Sequence, residues 1–128
     1  MTKKILLGLL ILIAGCTTTS SLNLSEVDNS RTINTTLGEE ITISLAGNAT
    51  TGYSWVFTST NGTLFKTIQE TYTQDRHPTG MVGVGGKFVY KIKAMKKGTF
   101  SIIARYYRPW ENFNPQTDKH YEFIFNVE

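Results

Sequence analysis

Few side chains in this sequence could act as a nucleophile, an acid or base, or a metal ligand. The 128 residues include one cysteine, Cys16, and two histidines, His77 and His120. His77 directly follows Asp75 and Arg76, and neighbouring side chains on a strand or loop diverge instead of converging on one ion. His120 is expected at the beginning of the last strand. We therefore predict no catalytic residue, no metal site and no cofactor, and we expect that the chain is not an enzyme.

Three other segments combine residue types that are typical of binding surfaces. They are Asn48-Ala49-Thr50-Thr51-Gly52-Tyr53, Gly83-Val84-Gly85-Gly86 and Arg108-Pro109-Trp110. Hydroxyl groups beside a glycine turn suit a segment that presents its backbone, and glycines let one backbone approach another closely. Tryptophan and arginine are the residue types most often found as energetic centres of interfaces. The glycine-rich segment precedes a strand and lacks the helix N-terminus of a phosphate site. We predict that these segments bind a macromolecule.

Alternation of apolar and polar residues indicates the elements that must position these segments. The alternating runs are Ile41 to Leu45, Tyr53 to Phe57, Phe88 to Ala94, Phe100 to Tyr106 and Tyr121 to Val127. A weaker strand is expected near Leu64 to Tyr72, and another before Leu37. Seven or eight short strands predict an all-β, immunoglobulin-like β-sandwich with Trp55 in its core, although periodicity alone also fits a small barrel. In such a sandwich the connections that carry the three segments emerge at one end.

The first residues are typical of an export signal. Lys3 and Lys4 precede an apolar run from Ile5 to Ile13, which is followed by small residues and Cys16. A membrane-spanning helix needs about 20 residues, so this run is too short to cross a bilayer. The segment Ile13-Ala14-Gly15-Cys16 resembles the lipobox of prokaryotic lipoproteins, in which the cysteine becomes the lipidated N-terminus. The alternative is an ordinary signal peptide in which the cysteine has no role.

These observations predict the organisation of the chain and its location. Residues 1–15 are expected to form a lipoprotein signal peptide, residues 16–30 the lipidated cysteine and a polar tether, and residues 31–128 the folded domain. We expect an exported monomer, anchored by lipid on Cys16 to the outer face of a cell membrane or in the periplasm. Loss of Lys3 and Lys4 from the 13 basic residues leaves 11 against 10 acidic residues, a net charge of +1. Such a weak charge argues against a nucleic-acid partner.

The three segments together resemble the loop motifs NPTTGY, GxGG and RPW/F of the chagasin family of cysteine-protease inhibitors. The resemblance covers roughly residues 31–127 and implies an immunoglobulin-like fold without a cofactor. It also implies reversible, non-covalent inhibition of papain-like peptidases, of the papain and cathepsin L type, with the three loops occluding the active-site cleft. The family's proline is Ala49 here, so the free loop is expected to be less restricted. The alternative is a non-inhibitory immunoglobulin-like lipoprotein, such as an adhesin or a carbohydrate-binding module.

Overall fold

The computed structural model describes residues 21–128, which fold as two stacked β-sheets. The strands are β1 (Ser21–Leu24), β2 (Thr32–Thr35), β3 (Glu40–Gly47), β4 (Ser54–Ser59), β5 (Phe65–Gln74), β6 (Gly86–Ala94), β7 (Gly98–Tyr107) and β8 (His120–Val127). The first sheet has the order β1-β3-β6-β5, and the second has the order β2-β8-β7-β4. The predicted all-β sandwich is confirmed. Because the two sheets are separate and each has two edge strands, the barrel alternative is excluded.

Alternating side chains of both sheets form one hydrophobic core between them. On β3, Ile41, Ile43 and Leu45 are completely buried, and on β8 the same is true of Phe123 and Phe125. Their polar neighbours in the sequence face away from the core, as a period of two residues requires. The alternation that predicted these strands is therefore the burial pattern of the sandwich.

Trp55 connects the two sheets, as the prediction of a core position requires. Its side chain is 3% exposed, and its rings lie 4.9 Å from the ring of Tyr106 and 5.2 Å from that of Tyr121. The indole Nε1 donates a hydrogen bond of 3.0 Å to the carbonyl oxygen of Ala46 on β3. Since the one polar atom of this side chain has a partner, its burial carries no penalty for a lost hydrogen bond.

The weak alternation of β5 has a structural cause. Its pairing with β6 shifts register between Thr67 and Gln69, so a β-bulge interrupts the alternation of side chains between the two faces of the sheet. Most of this edge strand is exposed on both sides, which leaves little requirement for apolar residues. The strand extends to Gln74, two residues beyond the predicted end at Tyr72.

The beginning of the folded domain differs from the prediction. Residues 21–30 were expected to belong to the tether, but Ser21–Leu24 form a strand that pairs in parallel with β3. Leu24 is 7% exposed and belongs to the core. The sandwich therefore includes Ser21–Leu24, which precede the predicted start at Arg31. Residues 1–20, which include the predicted signal peptide and Cys16, lie outside the described residues.

The three connections with binding motifs lie at the same end of the sandwich, as predicted. We call them loop 1 (residues 48–53, between β3 and β4), loop 2 (residues 75–85, between β5 and β6) and loop 3 (residues 108–119, between β7 and β8). Gly86 at the beginning of β6 is paired with both Gly47 and Gln74, so loops 1 and 2 leave the first sheet at one level. Ser54 is paired with Tyr107, which brings loop 3 beside loop 1 in the second sheet.

Removal of the Leu24 side chain tests whether β1 belongs to the domain. We expect Leu24→Ala to lower the free energy of unfolding by about 2 kcal/mol, because it leaves a cavity beside β3. Asn23→Ala, an exposed neighbour on the same strand, is the matched control and should change it by less than about 0.5 kcal/mol. Urea denaturation measures both values. Equal changes in the free energy of unfolding for the two substitutions would show that residues 21–24 belong to the tether and not to the folded domain.

Candidate functional site: a braced cluster of three loops

Loop 1 is a single helical turn that Asn48 caps. The turn Ala49–Thr51 begins after Asn48, whose side-chain oxygen accepts hydrogen bonds from the backbone nitrogen of Thr50, at 3.0 Å, and from its hydroxyl group. The Thr51 hydroxyl donates to the carbonyl oxygen of Asn48 at 2.7 Å. Both hydroxyl hydrogens are therefore used inside the loop, and the oxygen lone pairs are what these threonines can offer to a partner.

Asn48 also connects loop 1 to loop 2. Its side-chain nitrogen donates a hydrogen bond of 2.9 Å to the carbonyl oxygen of Gly83. Loop 2 closes on itself at its base, where the backbone nitrogen of Asp75 donates to the carbonyl oxygen of Gly85 at 2.9 Å and Gln74 donates to that of Val84 at 3.3 Å. One amide side chain thus caps the first loop and holds the second.

The glycines of loop 2 do not have one common role. Gly83 has a positive φ of 72° and receives the hydrogen bond from Asn48. Gly86, in contrast, is buried at the beginning of β6, where a Cβ would collide with the carbonyl oxygen of Thr73 on β5. Strand packing accounts for this glycine and leaves it little surface, while its predicted contact with a partner stays a prediction. Met81 and Val82, at the tip of the loop, are 58% and 92% exposed.

Arg108 connects loop 3 to loop 1. Its Nε donates a hydrogen bond of 3.1 Å to the carbonyl oxygen of Thr51, and its guanidinium carbon lies 4.7 Å from the centre of the Tyr53 ring. Glu111 forms an ion pair with the same guanidinium group at 3.6 Å. No motif in the sequence pointed to Glu111. Its Nε donor, its charge and one face of the guanidinium group all have partners inside the cluster, so Arg108 positions loop 1.

Trp110 is the most prominent apolar side chain of loop 3. It is 71% exposed, and it lies in a turn closed by a hydrogen bond of 2.9 Å from the backbone nitrogen of Glu111 to the carbonyl oxygen of Arg108. Pro109 occupies the second position of this turn, which its fixed φ favours. The indole also covers Gly52, which has a φ of 82°, and a Cβ at that position would collide with the ring. The prediction that Trp110 lies outside the core is confirmed.

Tyr106 joins the cluster to the core. Its hydroxyl oxygen accepts a hydrogen bond of 2.8 Å from the backbone nitrogen of Asn48, while its ring lies 5.2 Å from Tyr53 and 4.9 Å from Trp55. This residue was predicted only as the last position of the alternating run from Phe100 to Tyr106. A tyrosine near the end of a strand, two residues before a binding motif, gives no local signal that it supports a loop 58 positions away.

The two histidines take no part in this cluster. His77 is exposed on loop 2, where its Nδ1 lies 3.0 Å from the carbonyl oxygen of Pro78, and the ring of His120 packs edge-on at 5.8 Å from Phe113. Within residues 21–128, no group of three or more histidine, cysteine, aspartate or glutamate residues is placed to hold a metal ion. The same part of the chain has no helix that is long and apolar enough to cross a membrane.

Comparison with known proteins identifies the family that has this arrangement. The model of the family described as chagasin family peptidase inhibitor matches residues 34–126, which include all three loops. This chain belongs to the chagasin family. The match favours an inhibitor over a non-inhibitory binding module.

Individual relatives support the family assignment and the fold. Amoebiasin-1 from Entamoeba histolytica is 42% identical over 97 residues, which cover 75% of this chain and 92% of the relative. Chagasin from Trypanosoma cruzi is 27% identical over 95 residues, covering 70% and 84% of the two chains. The crystal structure of the cysteine protease inhibitor EhICP2 from Entamoeba histolytica has a TM-score of 0.75 and 27% identity, over 85% of this chain and 96% of that one. The predicted function, a chagasin-family cysteine protease inhibitor and not an enzyme, is confirmed, as is the immunoglobulin-like sandwich.

The geometry of loop 1 accepts the family's proline at position 49. Asn48 has an extended backbone, φ −132° and ψ 99°, and so lies outside the α region that a following proline disfavours. Residue 49 is the first of the helical turn, where the backbone nitrogen has no partner within the turn and proline is common. Ala49 therefore changes the freedom of the unbound loop without changing the shape that the loop has in this structure.

Exchange of Asn48 for aspartate separates its two tasks. An aspartate keeps the oxygen that caps Thr50 but loses the nitrogen that donates to Gly83, so loop 2 should lose its brace. We expect Asn48→Asp to weaken inhibition of papain about tenfold, and Asn48→Ala, which also removes the cap, to weaken it further.

The opposite end of the sandwich provides a matched control for this exchange. The side chain of Asn61 caps Thr63 in the same way, with a hydrogen bond of 2.7 Å to its hydroxyl group, but far from the three loops. Asn61→Asp should leave the inhibition constant unchanged. Inhibition by Asn48→Asp as tight as that by the unmodified chain would mean that the brace has no function.

Proposed function

We propose that this chain inhibits papain-like cysteine peptidases, such as papain and cathepsin L, by filling the active-site cleft with its three loops. The observation that carries the proposal is the braced cluster itself: loops 1 and 2 share Asn48, and loops 1 and 3 share Arg108. A surface that is ordered before binding loses little conformational entropy in the complex, which favours tight association. The loops offer shape, backbone and aromatic area, so inhibition is non-covalent and reversible.

The conformation of loop 1 explains how the loop can enter the cleft without being cut. Peptidases of this class bind their substrates as extended segments, whereas residues Ala49–Thr51 form a helical turn. Extension of the loop would break the hydrogen bonds that Thr50 and Thr51 make with Asn48. In this proposal, Thr50, Thr51, Gly52 and Tyr53 lie nearest the catalytic cysteine and histidine, and no peptide bond reaches the distance for attack.

Loops 2 and 3 bind on either side of loop 1 in this proposal. Gly83, Val84 and Gly85 offer backbone that an extended cleft can contact closely, and the exposed side chains of Met81 and Val82 add apolar area. Arg108 and Pro109 hold the turn, and Trp110 provides the largest exposed apolar surface of loop 3. Such an aromatic side chain on a preformed turn is the usual energetic centre of an interface.

Truncation of Trp110 tests the proposed contact surface. We expect Trp110→Ala to weaken inhibition of papain and of a cathepsin-L-like peptidase by about 2 kcal/mol or more, about thirtyfold. The midpoint of thermal unfolding should change little, because the side chain is 71% exposed. Val27→Ala, which truncates an 81% exposed apolar residue outside the loop cluster, is the control.

Two outcomes would contradict the proposal. No inhibition of either peptidase by the unmodified protein at micromolar concentration would remove the papain-like target. Unfolding caused by Trp110→Ala, with unchanged inhibition by each molecule that remains folded, would assign Trp110 to stability instead of binding.

We also propose that the chain is a lipoprotein whose inhibitory domain is held at a membrane by lipid on Cys16. The support is the sequence pattern alone: two lysines, a short apolar run and the segment Ile13-Ala14-Gly15-Cys16. The cell location that follows is the outer face of a cell membrane or the periplasm. An inhibitor held there meets peptidases that act outside the cytoplasm.

Exchange of Cys16 for serine tests the lipid anchor. Serine lacks the thiol that would carry the lipid, so we expect Cys16→Ser to leave the membrane fraction or to be mislocalised. The native protein should remain with the membranes, and mass spectrometry of its first tryptic peptide should show the added acyl chains. Retention of the Cys16→Ser protein in the membrane, at the level of the native protein, would contradict the anchor.

A further inference from the structure

The outer face of the first sheet carries a group of lysines that inhibition does not use. Lys87, Lys91 and Lys93 alternate along β6 with side chains that point into the core, so all three face outward. Lys66 on β5 is paired with Lys93 and faces the same side. We call these four residues the lysine face. Two lysines directly opposite each other on neighbouring strands repel, so this arrangement favours an anionic partner.

Few acidic side chains balance this face. On the outward positions of the four strands in the described chain, Glu40, which is paired with Lys93, is the one carboxylate. Glu70 on β5 points the other way and lines a cavity of about 330 Å³ beside Trp55. Glu26 lies at the edge of the sheet, where it accepts a hydrogen bond from the backbone nitrogen of Ala46. A chain whose net charge is only +1 after loss of Lys3 and Lys4 therefore has one sheet with a positive surface.

The proposed lipid anchor leaves the domain from this same sheet. Ser21 begins β1 and is paired with Glu40, which is paired in turn with Lys93. Cys16 precedes Ser21 by five residues, so it can lie no more than about 18 Å from this row. Loop 1 begins at the other end of β3, after Gly47, about 24 Å from Glu40 along the strand. The anchor is thus close to Lys66 and Lys93, whereas Lys87, which is paired with Ala46, lies at the loop end of the sheet.

We propose that the lysine face binds the anionic surface of the bilayer that holds the lipid anchor. The inference rests on the lipid anchor proposed above, because the anchor keeps the sheet within reach of the phospholipid headgroups. A basic surface is a common second attachment beside a lipid anchor, and it also fixes which face of the protein meets the bilayer. Each lysine near an anionic surface strengthens binding about fivefold at moderate ionic strength. With this sheet on the bilayer, the three loops project from the end of the strands and stay open to peptidases.

Amine labelling of the full chain in vesicles tests the orientation. The protein is reconstituted into vesicles of phosphatidylcholine alone, or of equal parts phosphatidylcholine and phosphatidylglycerol, and treated with a membrane-impermeant acylating reagent. Mass spectrometry then gives the labelling rate of each lysine. We expect the rates at the lysine face to be about tenfold lower in the anionic vesicles, and molar salt to remove the difference. Lys119, which is exposed on loop 3, should react equally in both.

A pair of charge variants shows whether the lysine face itself causes the protection. Lys91→Gln combined with Lys93→Gln should abolish most of the protection at Lys66 and Lys87. Arg31→Gln combined with Arg105→Gln removes the same charge from residues outside this sheet and should leave the protection unchanged. Equal labelling in the two kinds of vesicle, or equal protection of Lys119, would overturn the proposal.

The same vesicles separate this inference from the proposals on which it depends. Failure of the native protein to float with neutral vesicles would remove the lipid anchor. In that case the anionic vesicles still test whether the lysine face binds a bilayer. Lower labelling rates of these lysines in anionic vesicles would support the proposal, and equal rates would overturn it. Inhibition of papain by the reconstituted protein is a separate measurement and tests the loop cluster alone.

Discussion

The proposed inhibitory surface depends on one amide side chain, that of Asn48. Its oxygen caps the helical turn of loop 1 and its nitrogen donates to loop 2, while its own backbone nitrogen is held by the hydroxyl group of Tyr106. An amide suits this position because it offers a donor and an acceptor on one rigid plane. The three hydrogen bonds connect a loop to its neighbour and to the core. Without these hydrogen bonds, loops 1 and 2, which are distant in the sequence, would not be held together as one surface.

The cluster illustrates how a non-enzymatic inhibitor uses residue types that are often assigned to catalysis or to charge recognition. The threonine hydroxyl groups donate inside loop 1, and the guanidinium group of Arg108 is shared among the carbonyl oxygen of Thr51, the ring of Tyr53 and the carboxylate of Glu111. These polar groups order the loops. The surface left for a partner is then mostly backbone and exposed apolar side chains, and its affinity follows from complementary shape.

The sandwich separates the two ends of the molecule. Loops 1, 2 and 3 leave one end of the strands, whereas β1 begins near the other end, in the row that contains Glu40 and Lys93. The parallel pairing of β1 with β3 produces this separation, because both strands then run toward loop 1. A protein that is attached through its N-terminus can therefore present its loops without hindrance from the attachment.

The sequence by itself determined the all-β fold class, the position of Trp55 in the core and the three motifs of the loops. These are local properties, because alternation with a period of two residues and the residue types of a turn are visible within a few positions. The tertiary structure alone decided that Ser21–Leu24 form a strand, that Gly86 is buried and that Asn48 braces Gly83, 35 residues away. A four-residue strand contains too little pattern to be recognised, and it is stable only beside β3. Contacts between distant residues depend on which strands become neighbours, and no short stretch of sequence contains that information.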